Sequence, residues 1–211
     1  MRNGANGIVL YPHGDVTPET TIPIVTISHQ VGKYNSVCCD LDLCFDEILA
    51  TLTALGHRRI AFVGERFTAS KRASFCRAME KSGLSCDERD IYTVSERFEQ
   101  IGYIAAEQMM QAALPTAVVC AYDEIALAMI HRFGISGISV PSDISVVGIN
   151  DIPAAAYAQV PLTTVRTFQE DQGEIVVKLL YDQIFGKAQA VRHVSLHPEL
   201  VQRKSVGIPR T

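Results

Sequence analysis

The chain has 211 residues, 47% of them hydrophobic and 20% charged, and a formal net charge of −4. That is ordinary composition for a folded, water-soluble protein with material for one or two cores. The acidic balance argues against a large nucleic-acid surface on this chain. No apolar run is long enough to span a bilayer. The opening, MRNGANGIVLYPHG, has no secretory pattern. We therefore expect a cytoplasmic chain without membrane contact. Six cysteines, Cys38, Cys39, Cys44, Cys76, Cys86 and Cys120, show no CxxC pair. Several sit in apolar runs, so they are expected to be reduced and mostly buried.

Three short strands come first, at Gly7–Leu10, Ile22–Ile27 and Ser36–Cys39. From about Asp42 the apolar period turns helical, through Phe45, Ile48, Leu49, Leu52 and Leu55. Gly56 stops that helix. Arg59–Gly64 is a strand ending in Glu65-Arg66. A helix over Ser70–Ser82 follows, closed by Gly83. Ile91–Val94 is a short strand. Ile101–Ala113 is a helix whose buried stripe holds Ile101, Ile104, Ala105, Met109 and Ala112. Ala117–Ala121 and Ile144–Ile149 are apolar throughout, as expected of parallel strands buried on both faces. A helix between them makes a βαβ unit with a right-handed crossover. Leu162–Val165 is extended. Gln172–Phe185 is amphipathic and stopped by Gly186, and His193–Leu196 and Leu200–Gln202 close the chain. Strands alternating with helices predict an α/β fold with largely parallel sheets.

The chain shows no GxGxxG, GxxxxGK(S/T), GxSxG or HExxH. His193 and His197 lie in predicted strand or loop beside a proline and make a weak metal pair. The cluster His57-Arg58-Arg59 follows a helix C-terminus, where cations complement the helix dipole. We expect no enzyme, no metal and no cofactor. What remains is a set of strands that end in polar groups: Ser28-His29, Asp40, Glu65-Arg66, Tyr122-Asp123 and Asn150-Asp151. In open α/β sheets ligands bind beyond the carboxyl ends of the strands. Hydrogen-bonding groups there, without a nucleophile–base pair, describe binding rather than catalysis. Asp123 and Asp151 could equally cap the segments that follow them.

Five motifs stand in register: LGHRRIAFVG (55–64), PTAVVCAYDEIALA (115–128), VPSDISVVGIND (140–151), PLTTVR (161–166) and PELVQRKS (198–205). Their order and spacing resemble the lactose-repressor/galactose-repressor (LacI/GalR) family over nearly the whole chain. The resemblance implies a periplasmic-binding-protein-like type I fold: two doubly wound parallel-sheet subdomains, a three-segment hinge and a ligand cleft. It implies that a helix-turn-helix domain, a hinge helix and two βα units precede the strand with which this chain opens. The chain is then a truncated form, with an incomplete N-terminal subdomain and part of its core exposed. On this mapping residues 1–56 and 166–190 form the N-terminal subdomain, and 57–165 with 191–211 the C-terminal one.

The same resemblance implies ligand contacts at Ser28, Lys71, Arg72, Phe98, Tyr122, Asp123, Asn150 and Asp151. Lys71 stands where arginine is usual and cannot form a planar bidentate fork. Tyr122 replaces an asparagine, and Asn150 an aspartate. Tyrosine can stack on the apolar face of a sugar. The implied function is effector binding in a cytoplasmic, homodimeric transcriptional repressor. The effector is a small molecule, a sugar or related metabolite. Operator DNA would be reached only through a helix-turn-helix that this chain lacks. A periplasmic sugar-binding protein of a transport system is the alternative on the same fold. A small hydrolase is a third reading, for which no nucleophile, metal or base dyad is found.

Overall fold

The computed structural model describes residues 4–11, 20–27, 33–186 and 190–210. The chain divides into two units, one of residues 1–40 and 168–197, the other of 41–167 and 198–211.

The smaller unit holds β1 (Ile8–Leu10), β2 (Ile24–Ile27), β3 (Asn35–Cys39) and, from far along the chain, β9 (His193–Leu196). They form a four-stranded sheet in the order β1-β2-β3-β9, parallel throughout. The helix α6 (Gln169–Ile184) lies on it. Val25, Val37, Val176 and Leu179 make the small core. A Cβ on Gly7 would meet Leu180 at 2.9 Å, so this glycine lets α6 approach β1 closely. Val9, Tyr11, Val177, Tyr181 and Phe185 are exposed.

The larger unit carries a six-stranded sheet in the order β10-β8-β7-β6-β4-β5. Its strands are β4 (Ile60–Glu65), β5 (Ile91–Val94), β6 (Ala117–Cys120), β7 (Ser145–Asn150), β8 (Thr163–Arg166) and β10 (Glu199–Val201). Only β10 runs antiparallel, against β8. Every residue of β4 and β6 is buried, which explains why these strands read as unbroken apolar runs. The helices are α1 (Leu41–Ala54), α2 (Ala69–Lys81), α3 (Glu99–Gln111), α4 (Asp123–Ile135) and the short α5 (Pro153–Tyr157). From β4, the chain steps outward to β5, then back past β4 to β6 and on to β7. Right-handed crossovers then place α2 on one face of the sheet and α3 and α4 on the other. Helix α1 pairs with α2, and α3 with α4.

The α1–α2 side is sealed by three buried rings. Phe45 of α1 lies 6.2 Å from Phe62 of β4 and 6.1 Å from Phe75 of α2, and Phe62 lies 5.4 Å from Phe75. The α3–α4 side depends on a close approach at Gly102. A Cβ there would sit 2.4 Å from the carbonyl oxygen of Ile125 and 2.8 Å from the Ala128 methyl. Backbone cannot yield as a flexible side chain can, so Gly102→Ala should cost about 2 kcal/mol in denaturant unfolding. An unchanged midpoint would refute the tight α3–α4 contact.

Four expectations are corrected. The boundaries move: α1 belongs to the larger unit, because its apolar stripe packs on Phe62 and Phe75, and β9 pairs with β3 in the smaller sheet. Cys76 and Cys86 are not free thiols but a disulfide, since the turn after α2 brings their Cα atoms to 5.3 Å. Cys38, Cys39, Cys44 and Cys120 are in no disulfide; Cys44 and Cys120 are buried, and Cys38 and Cys39 half-buried. Ala112 is exposed because α3 ends at Gln111. The cluster His57-Arg58-Arg59 does three different things. Arg58 donates to the Thr53 carbonyl near the end of α1, at 3.0 Å, as a helix-end cation should. Arg59 pairs with Asp90 at 2.7 Å. His57 is fully buried, held by Thr116 and the Gly207 carbonyl, and burial pulls its pKa down.

Candidate effector site

The site is built on the carboxyl ends of β4, β6 and β7 in the larger unit. β6 ends at Cys120, and Tyr122 then stands as the extended N-cap of α4. Lys71, in the first turn of α2, reaches across. Its Nζ donates to the Ala121 carbonyl at 2.6 Å and lies 4.1 Å from the centre of the Tyr122 ring. Phe98, the N-cap of α3, brings its ring to 5.8 Å from Tyr122. Asn150 closes β7, half-buried, and its Oδ1 accepts from the Thr167 hydroxyl at 3.4 Å.

Three of these residues sit in unfavourable backbone: Phe98 at φ 52°, Asn150 at φ 126° and Asp151 at φ 55°. Left-handed backbone at a residue with a Cβ costs about 1–3 kcal/mol and clusters at ligand sites. Their concentration at one sheet edge marks that edge as more than a set of turns.

The carboxylates behave differently from the expectation that they meet ligand. Asp123 is fully buried. Its Oδ1 accepts from the Thr164 hydroxyl at 2.5 Å and its Oδ2 from the Ile152 N–H at 2.9 Å. It braces the turn after β7 against β8 and faces inward. Burial pushes its pKa up to about 6, although both hydrogen bonds oppose this. Asp151 is clamped between two guanidinium groups, with Arg203 at 2.6 Å and Arg166 at 2.8 Å. That pairing raises the Arg166 pKa. Arg72 points away from Lys71 and pairs with Glu88. Ser28 lies outside the described residues.

The structure thus brings Lys71, Phe98 and Tyr122 together and puts Asn150 at the end of the neighbouring strand β7, while Asp123 and Asp151 act as braces. Arg72 is not brought in. Sequence reasoning missed Arg97 and the full role of Glu65. Glu65 ends β4 with its side chain 1% exposed, and the 57% exposed Arg97 pairs with it at 3.0 Å. Nothing in the spacing of residues 32 apart signals this pair. Arg203 and Thr164, which hold Asp151 and Asp123, were likewise visible only as parts of motifs.

Residues 49–206 match the family described as a periplasmic binding protein-like domain. The chain is similar to the HTH-type transcriptional repressor PurR of Proteus mirabilis (strain HI4320), 37% identical over 158 residues, which is 72% of this chain and 46% of that protein. The PurR of Pasteurella multocida (strain Pm70) is 34% identical over 157 residues, again 72% and 46%. The chain therefore spans about half the length of the curated relatives it matches. Among solved structures, a LacI family transcriptional regulator from Mycobacterium smegmatis superposes with a TM-score of 0.83 at 25% identity, covering 97% of this chain and 80% of that one. The transcriptional regulator CelR, solved as a cellobiose complex, gives a TM-score of 0.80 at 25% identity, covering 87% and 59%. A LacI family regulator from Enterococcus faecium with bound ribose shares the fold, with a TM-score of 0.86 at 20% identity, covering 99% and 82%. These relatives are regulators of transcription and not transport proteins. The chain belongs to the periplasmic binding protein-like domain family, as an effector-binding domain of the LacI/GalR type.

Proposed function

We propose that this chain binds a small-molecule effector at the carboxyl edge of the larger sheet and so controls the operator affinity of a cytoplasmic, homodimeric repressor. The observation that carries this reading is the cluster of Lys71, Phe98 and Tyr122 at the carboxyl edge of the sheet, with Asn150 at the end of the adjacent strand β7 and the carboxylates Asp123 and Asp151 already committed to bracing. Two aromatic rings offer an apolar wall, and an ammonium and an amide offer directional contacts. Related regulators have been solved with cellobiose and with ribose, which supports a sugar or related metabolite here. Ligand acts by favouring one arrangement of the protein over another, to the extent of its differential affinity. The chain itself performs no catalysis in this scheme.

The test is calorimetry of the chain against a panel of sugars and related metabolites. One ligand should bind with one-to-one stoichiometry, and Lys71→Ala should weaken it about tenfold, as expected for loss of a charged hydrogen-bonding group. No binding from any member of the panel would remove the support for an effector site.

A further inference from the structure

The candidate site continues outward as a ladder of alternating cations and rings. Arg66 lies over Phe67 with 4.4 Å from guanidinium carbon to ring centre. Arg97 lies 5.8 Å from the same ring and 4.6 Å from Phe98. Phe98 meets Tyr122 at 5.8 Å, and Lys71 lies 4.1 Å from Tyr122. Three cations and three rings thus form one continuous surface along the ends of β4, β5 and β6.

Its polarity is one-sided. Glu65, Asp123 and Asp151 all point into the protein, where Arg97, Thr164, the Ile152 N–H, Arg166 and Arg203 engage them. Arg66 and Arg97 are exposed, the Arg97 side chain 57% against 1% for its partner Glu65, and Lys71 is half-buried, with its ammonium shared between the Ala121 carbonyl and the Tyr122 ring. Glu96 and Glu99, acidic neighbours in sequence, line a separate hollow with Gln100, Tyr103 and Ile104. A neutral polyol needs acceptors for its hydroxyl protons, and ionised carboxylates are the acceptor-only groups that serve best. Here the carboxylates are already bonded within the protein, and what the ladder presents is ammonium, guanidinium and ring faces.

We infer that the effector is an anion: a metabolite with one flat face, which stacks on Phe98 and Tyr122, and a carboxylate or phosphate directed at Lys71 and Arg97. This rests on the effector reading above. A cation held against a ring face attracts an anion and stacks a planar or apolar face in one arrangement.

The experiment is calorimetry at low and high salt with matched sets: ribose and ribose 5-phosphate, glucose, gluconate and glucose 6-phosphate, and 4-hydroxybenzoate with its methyl ester. At least one anionic member should bind about tenfold or more tightly than its neutral counterpart, and its affinity should fall with salt. The phosphate and carboxylate arms separate the two sources of charge. Lys71→Gln and Arg97→Gln should each reduce that preference. Should either variant unfold, the charge preference and salt dependence of the unaltered chain still decide. Neutral sugars binding as tightly as their anionic counterparts, insensitive to salt, would overturn this inference and leave the effector site standing. Binding by none of the compounds would overturn both.

Discussion

Phe45→Ala should lower the unfolding free energy of the larger unit by about 3–5 kcal/mol. Phe45 is fully buried and touches two other buried rings, Phe62 from the sheet and Phe75 from α2. Truncating it removes the burial of a large apolar side chain and opens a cavity. That cavity cannot collapse easily, because Phe62 is fixed on β4 and Phe75 on α2. The variant also tests where the units divide. If α1 belonged with the first three strands, losing Phe45 would leave the larger unit almost untouched. Denaturant titration followed by circular dichroism reads the result. A shift under about 1 kcal/mol would separate α1 from this core.

Asp123→Asn should stabilise the chain relative to the original more and more as the pH rises from 4 to 7. Unfolded, this carboxyl titrates near its ordinary value of 3.8, whereas in the folded chain burial lifts it to about 6. Between those values the folded chain holds the extra proton. Stability contributed by this group is therefore greatest below pH 4, falls as the pH passes from 4 to 6, and stays low above. The gap corresponds to about 3 kcal/mol at neutral pH. Asparagine fills the same space without a charge. Its carbonyl accepts from the Ile152 N–H, and the Thr164 hydroxyl can turn to accept from its amide. Denaturant curves of both proteins at pH 4 and pH 7 give the measurement. A difference that does not change with pH would show that the Asp123 carboxylate is not penalised by burial.

Much of the larger unit was legible in the sequence for a simple reason. Its central strands are buried on both faces, so residues 60–64 and Ala117–Cys120 are apolar without interruption and abrupt polar pairs mark their ends. The helix ends were legible where Gly56 and Gly83 take φ of 102° and 72°, a conformation that favours glycine. The strand β9 was recognisable, but its sheet was not. Four residues of alternating burial carry no label that says which edge they join. The direction of the carboxylates was equally hidden. Tyr122 and Asp123 are neighbours in sequence, yet the Tyr122 ring lies beside Phe98 in the candidate site and the next side chain turns inward to Thr164 and Ile152. Periodicity locates a strand end; only the partners, here 29 and 41 residues away, decide which way each group faces. The Arg97–Glu65 pair and the Cys76–Cys86 bond arise from tertiary contact in the same way.

The larger unit is assembled from two separate lengths of chain, and this has a consequence for its synthesis. Residues 198–210 supply β10, which covers the β8 edge. They also supply Ser205, fully buried, whose hydroxyl donates to the Val146 carbonyl at 2.6 Å and accepts from the Thr163 N–H at 2.8 Å. Gly207 in turn satisfies His57. A ribosome that has reached only residue 197 has therefore made nearly all of this core but not its final strand. Until residues 198–210 emerge, β8 is a bare edge able to pair with another nascent chain, and Thr163, Val146 and His57 lack the hydrogen bonds made by Ser205 and Gly207. The order in which the chain is written therefore postpones closure of the larger unit until residues 198–210 have been made.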